Sequence, residues 1–200
     1  MNRAFLCGAL LVVAVCGGAP GGADSNTPAP QFTKDNELIR PTDYREWVYL
    51  SSGLGMNYGS STMEMEPAFD NVFVHPAAYR AFLESGKWPD KTIFVLENRS
   101  AQQHGSINKS GHFQAGLTGV EAAVKGESRF PEKWAYFGFG GPPSMRETAK
   151  AFPTNACYNC HSKNGAVENT FVQFYPTLLP VAEAKGTLKA SYPRDVPVSK

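Results

Sequence analysis

The chain has 200 residues, 42% hydrophobic and 18% charged, with a formal net charge of +1. That length allows one ordinary domain with extra segments at its ends, and the composition is that of a globular protein. The near-neutral balance carries no electrostatic footprint for nucleic acid or an anionic membrane surface, so neither is expected as a partner. Thirteen Phe, eight Tyr and three Trp suffice to line a large apolar pocket, although an ordinary core would use them equally well.

Residues 1–23 read as a secretory signal peptide. Arg3 supplies the positive start, residues 5–15 form an apolar run too short to span a bilayer, and Gly21, Gly22 and Ala23 offer small residues for cleavage. The protein is therefore expected to be exported, with a periplasmic location and no membrane span. A lipoprotein anchor at Cys16 is the rival, disfavoured by the bulky Val15 before it. Cys7 and Cys16 leave with the signal, so the mature chain keeps Cys157 and Cys160.

Residues 24–40, polar and containing Pro28 and Pro30, read as a flexible lead-in. Thr42 is placed to cap a short helix through Tyr44, Trp47 and Val48. Gly- and Ser-rich residues 53–66 predict a loop, and residues 71–74 a short strand. Pro76 suits the first position of a helix to about Ser85, stopped by Gly86 and Pro89. Residues 92–97 are the strongest strand by β-branched and aromatic content. After a turn-rich connection at 105–111 come a strand over 112–124, interrupted at Gly116 and Gly119, and another over 134–139. A short helix is expected at 146–151 and a last one at 169–179, broken by Pro176. The fold class is α+β: a mainly antiparallel sheet with a few helices, the main domain spanning 41–185 and a flexible tail 186–200.

The chemistry lies late, in Cys157-Tyr158-Asn159-Cys160-His161. Two thiols at this spacing reach the two vinyl groups of one porphyrin, and the next residue turns its imidazole to the iron. A thioredoxin-like motif would need a βαβ context, and a zinc site would need more ligands than the sequence offers nearby. A small surface disulfide is the remaining competitor. The motif predicts one covalently attached haem c, with His161 as the metal ligand. No Met follows His161, so the commonest electron-transfer arrangement, with a distal Met downstream, is not met. Long helices of period 3.6, required for a four-helix-bundle cytochrome, are also missing from the upstream pattern.

A β-rich chain with a late C-x-x-C-H resembles the cytochrome P-460 family and its relatives, the cytochromes c′-beta. The resemblance rests on Tyr44-Arg45-Glu46-Trp47, Asn71-Val72-Phe73-Val74-His75-Pro76 with Tyr79, and Gly86-Lys87-Trp88-Pro89-Asp90. It continues through Gly119-Val120-Glu121, Arg129-Phe130, Trp134-Ala135, the haem motif and Phe171-Val172-Gln173-Phe174-Tyr175-Pro176. It implies an exported protein, often a homodimer, whose sheet shields one haem face. The iron is then five-coordinate, with His161 on one side and an open distal site. In this superfamily the P-460 enzymes oxidise hydroxylamine with a haem cross-linked to a lysine, whereas the c′-beta proteins lack the cross-link and bind nitric oxide.

The family's cross-linking lysine aligns with Leu96, which cannot bond to a porphyrin carbon. Strand alternation puts Phe94 and Asn98 on the face of Leu96, with Ile93, Val95 and Glu97 facing away. Phe94 and Leu96 would then form a dry distal wall admitting small neutral diatomics, unless they are simply core residues. Phe69 and Asp70 are expected near the same side. His75, His104, His112, Met63 and Met65 are further sixth-ligand candidates; helix-start, surface and packing roles suit them better. The leading expectation is a cytochrome binding nitric oxide or a similar small nitrogen species. The alternatives are a hydroxylamine-oxidising enzyme and an electron-transfer cytochrome with a soluble partner.

Overall fold

The computed structural model describes residues 30–56 and 66–192. The signal peptide at 1–23, Cys16, Met63 and Met65 lie outside the described residues. Five strands form one antiparallel sheet in the order β2-β3-β4-β5-β6. These are Val48–Leu54 (β2), Ala68–Val74 (β3), Ile93–Gln102 (β4), Phe113–Lys125 (β5) and Trp134–Gly140 (β6). A two-stranded ribbon joins Leu38–Ile39 (β1) to Thr148–Ala149 (β7). The helices are Pro76–Ser85 (α1), Tyr158–Asn164 (α2) and Leu179–Ala184 (α3). This is the expected α+β class with a mainly antiparallel sheet. No helix among the described residues is long and apolar enough to cross a membrane.

The sheet is covered on both faces, which explains why β4 and β6 read as near-continuous apolar runs. On one face Ile93, Val95, Val120, Val124, Ala135 and Phe137 pack against Leu38 and Tyr44 from the N-terminal segment. On the other, Val74, Phe94, Trp134 and Tyr136 pack against α1 and the C-terminal segment through Phe82, Trp88, Val172 and Leu178. Alternation along β6 assigns Trp134 and Tyr136 to the second face and Ala135 and Phe137 to the first.

Helix α1 obeys its local signals. Pro76 occupies the first turn, where its missing N–H costs nothing, and His75 caps the helix by accepting from the Ala77 N–H at 3.3 Å. Gly86 takes φ 69° and returns its N–H to Phe82. A side chain there would also meet Lys185 and Thr187 within 3 Å, so the turn seats α1 against the C-terminal segment.

Tertiary pairing overrides the local expectations along several segments. Instead of a helix through Val48, Tyr44–Glu46 makes one 3-10 turn and Val48 opens β2, paired with Val74. The Asp43 carboxylate gives no cap; it accepts from the Trp47 indole. Residues 30–40, expected as a flexible lead-in, supply β1, and Leu38 is fully buried. Its partner is β7, where a helix had been expected over 146–151. The last helix begins at Leu179, with Val172–Phe174 a 3-10 turn. Strand β5 runs on past Gly116 and Gly119, and the expected interruption appears as bulges in β5 itself: Thr118 is extra between the Asn98–Gly119 and Arg99–Leu117 pairs, and another residue is extra between Gln114 and Leu117. Residues 186–192, within the expected tail, are docked by the Lys189 N–H to Ala166 carbonyl bond and by Leu188 and Tyr192 packing.

Candidate haem-binding cavity

Between the second sheet face and the C-terminal segment lies a cavity of about 480 Å³, within the size range of small-molecule and cofactor sites. The C-terminal segment contributes Cys157, Cys160, His161, Asn169, Phe171 and Phe174; the sheet contributes Asp70, Val72, Phe94, Leu96, Asn98, Glu121 and Tyr136. Among the described residues, no lysine lines it.

Helix α2 starts at the motif itself. Cys157 is its N-cap, and Cys160 and His161 follow within the next turn, so both thiols and the imidazole reach the same cavity. Cys157 and Cys160 are not joined to each other by a disulfide. Burial, then Glu121 and Cys160, pushes the Cys157 thiol above its usual range.

The tautomer of His161 follows from its partner. Nδ1 lies 3.0 Å from the Asn169 carbonyl oxygen, and a carbonyl only accepts, so Nδ1 carries the proton. That leaves the Nε2 lone pair as the ligand atom. The ring is held between Tyr136 and Phe171, at centroid distances of 4.3 and 4.5 Å. Burial pushes its pKa down, favouring the neutral, ligating form, although the carbonyl bond works against it.

The sheet wall follows strand pairing. Val72, Leu96 and Glu121 are directly opposite one another on β3, β4 and β5, and Asp70 pairs with Asn98 one step along. Neighbours in such rows share a face, so Asp70, Leu96, Asn98 and Glu121 all meet the cavity. Phe94 lines it too but is only 5% exposed, wedged among Trp88, Trp134 and Tyr175. Phe69 is not brought to the cavity. It is one residue from Asp70, and the two-residue period turns it to the opposite side. His75 caps α1, while His104 and His112 are exposed; none of the three lines the cavity.

The residue missed by sequence reasoning is Glu121. Its accessible surface opens into the cavity, yet burial and then the nearby Asp70 raise its carboxyl pKa. Burial likewise raises that of Asp70. The signal was present in the Leu96–Glu121 pairing, once β4 and β5 are known to be neighbours. The Oδ1 atom of Asn98 is buried without a hydrogen-bond partner, which suits a wall built to meet a bound group rather than a finished core. Met56 also lines the cavity, with its sulfur over Gly53, where a Cβ would lie 2.3 Å from it.

This donor set suits a haem. Among the described residues, no three His, Cys, Asp or Glu side chains are grouped to hold a bare metal ion, so an iron held by His161 must bring most of its ligands with it. A macrocycle does so, and the two thiols and the apolar walls match its edge and faces. An antiparallel sheet closed by a C-x-x-C-H helix over an apolar cavity defines the class: a β-sheet haem cytochrome. The chain belongs to the cytochrome P460 family, which matches residues 41–172. Members of that family carry haem. No curated protein matches the chain.

Proposed function

We propose that the protein is an exported mono-haem c-type cytochrome that binds nitric oxide or a similar small nitrogen species at an open iron position. The observation that carries this reading is the convergence of Cys157, Cys160 and the Nε2 lone pair of His161 on one cavity whose lining holds no lysine among the described residues and whose sheet wall presents Leu96, the position that the resemblance aligns with the enzymes' lysine. Each thiol would add across a vinyl group, the S–H going to the two alkene carbons, with no net oxidation. When bound, the haem would supply a redox-active iron able to take a small diatomic ligand. The chain's part is to hold that iron from His161, to exclude water with Leu96 and Val72, and to admit a small neutral ligand past Asp70 and Glu121. By family analogy the protein works as a homodimer, which light scattering would test.

Absorption spectra of the purified protein, oxidised and reduced, test the reading. The expected result is an ordinary c-type spectrum, retained after denaturation, with a high-spin resting iron that binds NO or CO when ferrous. A strongly red-shifted Soret band would indicate a cross-linked haem and overturn it. A low-spin resting spectrum would return the electron-transfer alternative, with Met56 the first candidate sixth ligand.

A second reading, hydroxylamine oxidation, is favoured by one observation. Asp70 and Glu121 are two carboxyl groups with raised pKa on the cavity wall, and removing electrons from hydroxylamine also releases protons, which such groups can accept. Turnover of hydroxylamine with an artificial electron acceptor, lost in Glu121→Gln, would establish it. An absence of turnover across pH would exclude it.

A further inference from the structure

The carbonyl of Asn169 is the acceptor on which the His161 side of the cavity converges. Its loop is fixed from two directions. The Thr170 hydroxyl accepts from the Trp88 indole N–H at 2.9 Å and donates to Val167 at 2.7 Å. Lys125, itself buried, donates to Glu168 at 3.1 Å and to the Trp88 carbonyl at 2.7 Å. Two donors reach the carbonyl thus held: His161 Nδ1–H at 3.0 Å and the Tyr136 hydroxyl at 3.2 Å.

We infer that Tyr136 is a tuning residue for the axial ligand, acting through the Asn169 carbonyl that it shares with His161. A carbonyl oxygen has two lone pairs and can serve both donors. Each bond withdraws density from the oxygen and weakens the other. The Tyr136 bond therefore limits how far the carbonyl polarises Nδ1–H, and His161 becomes a less electron-rich donor through Nε2. Outer partners of a ligating histidine act on the metal in this way, and axial-ligand donation sets potential. Tyr136 is 7% exposed, and burial pushes its pKa upward, so it remains a proton donor. The inference rests on the haem reading above.

Two variants of the holoprotein test it. Tyr136→Phe keeps the ring against His161 and deletes the hydroxyl. It is expected to raise the oxidised-to-reduced ratio at the wild-type midpoint about threefold, which is about 28 mV at roughly 59 mV per tenfold for one electron. The ferrous iron–histidine stretch should move up with it. Replacing Tyr136 by a fluorotyrosine, a stronger donor, should shift both quantities the opposite way, and this variant decides the matter if Tyr136→Phe does not fold. A ring that only packs would leave both readouts unmoved, and unchanged values, or shifts of one sign in both variants, overturn the inference while the haem reading stands. A wild-type protein without covalent haem overturns both.

Discussion

On one face of the central sheet, Glu97 receives hydrogen bonds from the Tyr44 hydroxyl at 2.5 Å, from Arg45 at 2.9 Å and from Arg99 at 2.5 Å. On the other, one residue away along β4, Asn98 leaves a buried oxygen unpartnered, and Asp70 and Glu121 face a cavity. The pKa values follow. Burial pushes Glu97 up, but the hydrogen bonds from Arg99, Tyr44 and Arg45 outweigh burial and hold it at about 2. With burial acting on Asp70, and burial together with Asp70 acting on Glu121, those two rise. The closed face satisfies its charges and contributes stability; the cavity face holds polar groups whose interactions are incomplete within the protein, the pattern expected where function is bought with stability.

The largest expected effect tests where the cavity face ends. Phe94 points to that face but is buried in the aromatic cluster of Trp88, Trp134 and Tyr175. Phe94→Ala should cost about 3–5 kcal/mol, read as a fall in denaturant midpoint at constant m value. A loss below about 1 kcal/mol would mean that the cavity extends past Phe94 and that the cluster is not core.

Next comes Glu97 on the closed face. Glu97→Ala strips the partner from Arg99, Arg45 and Tyr44 and should cost about 3 kcal/mol. Because its folded pKa of about 2 lies below the ordinary value of 4.5, its contribution is complete above pH 4.5 and is lost as pH falls toward 2. Wild-type stability should therefore drop across that window, and Glu97→Gln should flatten the profile. Equal acid sensitivity in the two proteins would place the titration elsewhere.

On the cavity face the sign reverses. Asp70 and Glu121 have folded pKa values above their unfolded ones, so stability falls as pH rises from the unfolded value through the folded one. Asp70→Asn and Glu121→Gln should each raise Tm at pH 7 by about 1–3 °C. Since Asp70 contributes to the Glu121 shift, the double variant should gain less than the sum. A fall in Tm for both single variants would erase the contrast between the faces.

What was legible in the sequence follows the range of the interactions. Pro76 and Gly86 bound α1 through contacts within a turn, and Cys157, Cys160 and His161 share one turn of α2. Alternation along β4 separated Phe94, Leu96 and Asn98 from Val95 and Glu97. Strands β1 and β7 were not legible, because each is two residues long and exists only through its partner far along the chain. Phe69 was misassigned because its face depends on register, where one residue reverses the side. Glu121 in an apolar strand gave no sign of its face until β4 was beside it, and the Asn169 carbonyl carries no side-chain signal at all.

A stability loss well below those of Phe94 and Glu97 is expected at Leu96, and it sharpens the comparison most. Leu96 is half-buried, between Val72 and Glu121 in its row, and its outer atoms border the cavity rather than packed neighbours. Leu96→Ala removes atoms that already face open space, so the loss should stay near 1 kcal/mol, well below the full cavity cost of a core leucine. The consequence should appear in ligand kinetics: a wider path to the iron and a severalfold faster CO or NO association, followed by flash photolysis. Phe94→Ala reverses the balance, with large destabilisation and little kinetic change once folding is accounted for. If Leu96→Ala costs as much as Phe94→Ala and leaves association unchanged, Leu96 is core, the distal wall lies elsewhere, and its alignment with the family's lysine loses its functional meaning.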